Sequence, residues 1–223
     1  MFDRERKTLL VQQIKPQETY EWFLQKHYAK RIPPITYAFG LFDNNNLIGV
    51  ITYGSPPSRS LCVGLCGEKH SDVVLELNRL CLQNNDNNQA SFIISHSLKL
   101  LPKPKIVVSY ADTSMGHVGY VYQATNFIYT GLSAKRTEWR EKNSNKHSKT
   151  ISQKVSLDER KINTEKYEIV DRPQKHRYVY FCGSKTQKKS FMRDLNYDIL
   201  PYPKGDNKRY DSGDAVNTQM VMF

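Results

Sequence analysis

A mixed α/β fold is predicted by three features of the sequence. Short apolar runs alternate with stretches of helical spacing in the order β-α-β-β-β-α-β-α-β-β, which suits one mixed, splayed sheet with helices on both faces. One run, Ile106 to Tyr110, is apolar enough for an interior strand and ends just before Asp112, where open α/β sheets expose ligand sites. The 223 residues, 39% of them hydrophobic, suffice for one good core with elaborations.

Each element has a local reason. Residues 7–14 read as a first strand, and Pro16 opens a helix through about residue 28 with Tyr20, Phe23, Leu24 and Tyr28 near one face. The diproline Pro33-Pro34 stops it. Residues 36–42 and 47–53 form a hairpin around Asp43 to Asn46, since asparagine tolerates the left-handed backbone of such turns. Residues 73–83 follow as a strand, 90–101 as a helix and 105–110 as the interior strand. Gly116 and Gly119 mark a tight loop before a short helix carrying Tyr122, and a strand runs from Asn126 to Gly131. A long polar segment, 134–167, precedes a terminal strand, 176–182. Such a loop inside a compact domain is usually functional or mobile.

Charge is unevenly placed. Of the formal +11, residues 1–133 hold 13 Lys and Arg against 10 Asp and Glu, while residues 134–223 hold 20 against 12. Seven basic residues and no acidic one lie from Arg172 to Arg193, a density suited to neutralising phosphates. Interleaved aromatic and imidazole rings at Trp139, His147, Tyr167, His176, Tyr178, Tyr180 and Phe181 suit stacking on an unpaired base. Lys135, Arg136, Trp139, Arg140, Lys175 and Arg177 are the candidate nucleic-acid contacts. Charge alone does not separate DNA from RNA, acidic membranes or acidic proteins.

Cys62, Cys66, Cys81 and Cys182 fit neither a zinc site nor a disulfide frame, and read as reduced thiols, with Cys62 and Cys66 in a glycine-rich loop. No apolar run approaches the roughly 18 residues of a membrane span, and the charged amino terminus does not read as a signal peptide. A cytoplasmic location, in the host if phage-encoded, is the expectation.

The segment from Ser109 to Gly131 resembles the end of the core of GNAT (N-acetyltransferase) enzymes, where a helix with Ala-x-x-x-Tyr or a near variant runs into a Gly-Phe strand start. Here the junction is Asn126-Phe127, and Tyr122 stands four residues before it. The wording of the segment, with His27-Tyr28 and Pro33-Pro34, Leu75 to Leu80 and Gly131 to Arg136, is similar to the Mom family of phage DNA-modification proteins. That resemblance implies conversion of adenine in DNA to the N6-carbamoylmethyl form, shielding it from host restriction enzymes. It also implies His27, Tyr28, Arg79, Asp112 and Tyr122 as catalytic residues, and iron held by His27, Asp112 and Tyr122. The alternative reading is a GNAT N-acetyltransferase acting on a small amine or a hypermodified base.

The residues give these roles content. Asp112 is placed to accept a hydrogen bond from an exocyclic amine or to act as a base, or else to cap its own loop. Tyr122 is placed to protonate a leaving group or to contact the base. Arg79, on an apolar strand, requires a carboxylate such as Glu76 or Asp112, or a bound phosphate. His117 is a candidate to shape the loop or touch the base. The donor is expected at Asn88, Gln89, Ala90 and Ser91, where a helix N-terminus offers backbone N–H groups and Ser91 or Asn88 a cap. The resemblance implies acetyl-CoA or a related acyl donor, but the glycines of the usual coenzyme A loop are missing there and Asp86 would repel a phosphate, which leaves some other activated two-carbon unit as the alternative. The expected organisation is a GNAT-like catalytic core over 1–133, a basic polar insertion for DNA contact over 134–170, and a terminal core strand with a basic extension over 171–223. The expected partner is double-stranded DNA with its adenine flipped out of the stack. The carboxylate and the phenol must then share one cleft, open to solvent and on the same side of the sheet.

Overall fold

The structure, a computed structural model, describes residues 9–27, 30–84, 86–144 and 148–205. Seven strands form one sheet: β1 (Leu9–Gln13), β2 (Tyr37–Asp43), β3 (Asn46–Gly54), β4 (Val74–Leu82), β5 (Lys105–Asp112), β6 (Ile128–Leu132) and β9 (Lys175–Cys182). Their spatial order is β1-β2-β3-β4-β5-β9-β6, so the last strand in sequence is inserted between β5 and β6. All pairs are antiparallel except β4 with β5.

That parallel pair matters most. β4 and β5 are bonded only from Val74–Ile106 to Glu76–Val108. Beyond Glu76 the strands diverge, and the mixed, splayed sheet expected from the sequence is borne out.

Helices cover both faces. On one, α1 (Arg59–Cys66) and α6 (Lys185–Arg193) bring Leu65, Cys66 and Phe191 against Val74, Ile106, Val108 and Val179. On the other, α2 (Gln89–Leu100) sets Ile93, Ile94 and Leu98 against Ile51, Tyr53, Leu75, Leu77 and Val107, and Tyr122 of α3 (Tyr120–Ala124) packs there with Phe127 and Tyr178. The Pro16 segment is helical from residue 16 to 26, tight at Pro16–Thr19 and wide at Trp22–Lys26, and seats Phe23 on Val50 and Cys81. The hairpin turn uses Asn44 and Asn45 at φ 47° and 69°, as asparagine permits.

Two expectations are corrected. The Cys62 and Cys66 stretch is a helix and not a glycine-rich loop: Ser58 caps it through the Leu61 N–H at 3.3 Å, and Gly67 ends it at φ 83°. All four cysteines are free and buried. The polar segment is folded: β7 (Arg136–Glu141) pairs with β8 (Tyr167–Arg172) as a separate antiparallel ribbon, with α4 (Ser148–Lys154) and α5 (Leu157–Ile162) between them. The end of the chain also differs, since α6 follows β9 and Phe191 anchors it.

Candidate active site in the split of the sheet

Where β4 leaves β5, a cavity of about 860 Å³ opens through the sheet. His27, Arg79, Asp112 and Tyr122 all line it. Tyr28 lies outside the described residues.

Strand alternation decides from which face each group arrives. Val108 belongs to the core beneath α1, so Tyr110 and Asp112 project to that face, as do Arg177 and Lys175 from β9, which alternate with Val179. Arg79 lies opposite Thr52, which alternates with Val50 under the Pro16 helical segment, and His27 ends that segment. Tyr122 comes from the α2 face. The expectation of one shared side of the sheet is corrected: the carboxylate comes from the α1 face and the phenol from the α2 face, and they line one cavity because the split between β4 and β5 leaves the sheet open there.

Asp112 is held as an anion. Its Oδ2 lies 2.7 Å from Lys175 Nζ, and its Oδ1 accepts from Ser114 N at 3.0 Å and Ser114 Oγ at 2.6 Å. Burial alone would raise its pKa, but the Lys175 ammonium and the Ser114 bonds outweigh burial and keep it below the ordinary carboxylate value. Such a group is a weak proton acceptor and a good hydrogen-bond acceptor. The loop cap is formed as well, through Ser114; Thr113 Oγ1 donates to Gln174 O at 2.5 Å instead. His117, on the same loop, is lowered by burial against the pull of Asp112, and Gly119 at φ 81° turns the chain into α3.

His27 is neutral for a related reason. Its ring is only 8% exposed and edge-on to Phe23, and burial, reinforced by the Arg79 cation, lowers its pKa to about 3. Arg79 donates from Nη1 to Asn78 O at 2.6 Å.

The iron set does not fit these surroundings. Both oxygens of Asp112 are engaged by an ammonium and a serine, and His27 sits beside a guanidinium that repels a metal cation. Among the described residues no group of three or more His, Cys, Asp or Glu is gathered to hold a metal.

At the donor end, Asn88, Ala90 and Ser91 line the cavity together with Asp86. Gln89 does not: it is 3% exposed and its Nε2 donates to Asp86 Oδ2 at 3.1 Å. Neither expected cap forms, as Asn88 is left-handed at φ 66° without a side-chain bond and Ser91 Oγ donates to Asn88 O at 3.0 Å.

The basic candidates separate. Arg136 and Lys175 line the cavity mouth, and Lys135 is exposed. Arg140 is engaged with Glu138 at 3.2 Å, and Trp139 lies under the Arg160 guanidinium at 5.7 Å. Arg177 is no surface contact: at 7% exposure it donates to Thr130 Oγ1 and Thr130 O, both at 2.8 Å, and its guanidinium stacks 3.4 Å over Tyr197. Of the proposed stacking rings, Tyr167, Tyr178 and Phe181 are core, Tyr180 packs on Phe127, and His147 lies outside the described residues. Tyr129 Oη meets His176 Nδ1 at 2.8 Å. Sequence reasoning did not place Tyr110 or Tyr197 in the site, and read Glu76 only as a partner for Arg79 and Arg172 only as the start of the basic run; all four line the cavity. The signal for Tyr110 was available, two residues before Asp112 on the same face of the strand. Burial pushes its phenol up to about 12, so it stays protonated.

A mixed α/β protein whose split sheet joins a carboxylate chamber on one face to a helix N-terminus and a phenol on the other has the plan of a two-substrate transferase. The chain belongs to the Mom protein family, whose model matches residues 8–204. It is 28% identical over 189 residues, 80% of this chain and 77% of the relative, to the methylcarbamoylase Mom of Escherichia phage Mu. Among solved structures it is similar to an N-acetyltransferase from Staphylococcus aureus, at 13% identity, TM-score 0.44, and coverage of 78% of this chain and 99% of that one. Arabidopsis thaliana NAA60 in complex with acetyl-CoA is similar at 14% identity and TM-score 0.45, covering 78% and 98%. Among the described residues no helix is long and apolar enough to cross a membrane.

Proposed function

We propose that this protein is a DNA methylcarbamoylase, placing a carbamoylmethyl (acetamido) unit on N6 of adenine in double-stranded phage DNA within the host cytoplasm and so shielding it from restriction. The observation that carries this reading is the family match across residues 8–204. The methylcarbamoylase named among its relatives supports the chemistry, and the two-sided cavity supports a reaction between two substrates.

In a duplex the N6 amine is stacked out of reach, so the adenine is extruded into the chamber on the α1 face. There the Asp112 carboxylate, kept ionised by Lys175, accepts a hydrogen bond from the amine and orients it toward the split. His27 remains neutral beside Arg79, so the chamber takes an uncharged base without adding an imidazolium to its wall. The donor, an activated carrier of the acetamido unit with its amide nitrogen already in place, comes over Asn88, Ala90 and Ser91 on the α2 face, where the start of α2 supplies backbone N–H groups; N6 bonds to the methylene carbon as the bond from that carbon to the carrier breaks, and the N6 proton leaves to solvent. Asp86 beside them disfavours a polyphosphate and tilts the site toward a carrier of low charge. The Tyr122 hydroxyl donates its proton to the departing group.

The test is to express the protein with a plasmid, digest the DNA to nucleosides and weigh deoxyadenosine by mass spectrometry. A carbamoylmethyl mass gain is expected from the wild type. Asp112→Asn and Tyr122→Phe should each reduce it by about 100-fold or more while DNA retention persists. Acetylation of a free amine without DNA would favour the N-acetyltransferase alternative, and undiminished modification in Asp112→Asn would remove that residue from the site.

A further inference from the structure

The ribbon that links β6 to β9 sets opposite charges against each other away from its root. Further out, Arg140 pairs across the strands with Glu168 and also meets Glu138 at 3.2 Å, and Lys166 lies 3.6 Å from Glu141. At the root Arg136 stands directly opposite Arg172. Directly opposed residues of an antiparallel pair share a face with their Cβ atoms about 5 Å apart, and like charges there destabilise the pairing. Both side chains are exposed, and the nearest compensation, Glu138 Oε2, is 3.9 Å from Arg172 Nε while also accepting from Ser148. Both arginines line the mouth of the cavity, on the side where Lys175 is already paired with Asp112 and Arg177 is buried against Thr130 and Tyr197. On this side of the cavity the exposed positive charge is therefore carried by Arg136 and Arg172.

We propose that Arg136 and Arg172 form a phosphate clamp that grips the phosphodiester beside the nucleotide entering the cavity. The inference rests on the DNA-modification reading above and names the contact that brings the strand to the site. A flipped base keeps its own backbone at the rim of the pocket, so an anion is delivered to the place where the two guanidinium groups face each other. Planar guanidinium forks match the oxygens of a phosphodiester in pairs, and an anion between them turns a repulsive strand pair into an attractive one. The clamp reads no base. It sets the register of the strand, and the chamber behind it selects the adenine.

The experiment is fluorescence anisotropy of a labelled adenine-containing duplex against KCl concentration. Wild type, Arg136→Gln, Arg172→Gln, the double variant and the double lysine variant Arg136→Lys/Arg172→Lys are compared. Lys99→Gln, an exposed residue near the end of α2, controls for net charge. The slope of log affinity on log salt should fall by about 1 in the double glutamine variant, which leaves that phosphate without a counter-charge, and by less in each single variant, while the double lysine and Lys99→Gln proteins keep the wild-type slope. Melting temperatures of the glutamine variants should not drop, since the opposed charges are relieved. A wild type that binds with its full slope alongside a double glutamine variant of equal slope overturns the clamp and leaves the DNA reading standing. A wild type that shows no salt-dependent binding overturns the DNA reading and the clamp with it.

Discussion

His27 contributes to the acid limb of the stability curve. Its imidazole has a folded-state pKa of about 3 against an ordinary value of 6.5, through burial first and the Arg79 charge second. Between those values the unfolded chain binds a proton that the folded chain refuses. The contribution to stability is therefore complete above the unfolded value and declines as pH falls through the window toward the folded value. Between pH 7 and pH 5 this single group should remove about 2 kcal/mol, a sizeable share of the roughly 5–15 kcal/mol that a folded domain has. For a chain of this size that is a drop of about 4–8 °C in Tm. The assay is urea unfolding at the two pH values for the wild type and His27→Asn, with the His27 ring followed by NMR through the same range. The wild type should lose about 2 kcal/mol more than the variant, and its His27 resonance should not move above pH 5. A His27 ring that titrates near its ordinary value, or equal acid losses in the two proteins, would refute the reasoning.

Three further outcomes are expected. Arg177→Met removes two bonds to Thr130 and the stacking on Tyr197, and urea unfolding should show a loss of about 2–4 kcal/mol. Gly119→Ala faces both φ 81° and a Cβ driven into the Tyr178 ring, so it should cost more than about 1 kcal/mol and lower adenine modification further by shifting Tyr122; Gly116→Ala, at φ 67° in open space, should cost only the backbone part. Burial raises the thiols of Cys66, Cys81 and Cys182 to about 11, so a thiol reagent near pH 8 should label the folded protein slowly and all four cysteines in denaturant.

The parts legible in the sequence were those dictated by local periodicity. The interior strand ending at Asp112, the asparagine hairpin and α2 each follow from patterns within a dozen residues. α1 was obscured because Gly64 and Gly67 suggest a loop, although Cys62, Leu65 and Cys66 stand at helical spacing. The ribbon was obscured for another reason: its strands are 25 residues apart in sequence and mostly polar, so neither alternation nor burial announces their pairing. In the site, Asp112 and Tyr122 were found by their neighbourhood in the chain. The ion pair from Lys175 to Asp112 and the burial of Arg177 depend on β9 lying beside β5, a long-range pairing that no local pattern carries. Reading a basic run as surface therefore misplaced Arg177, because alternation along a central strand turns every second side chain inward.

The position of β9 has a consequence for how the protein is made. Residues 175–182 fill the slot between β5 and β6, so on the ribosome those earlier strands wait, unpaired to each other, until the ribbon and then β9 have been translated. Lys175 arrives with that strand, and only then does Asp112 gain its cation. A nascent chain thus carries the cavity wall in pieces, and the wall is complete only once β9 has been translated.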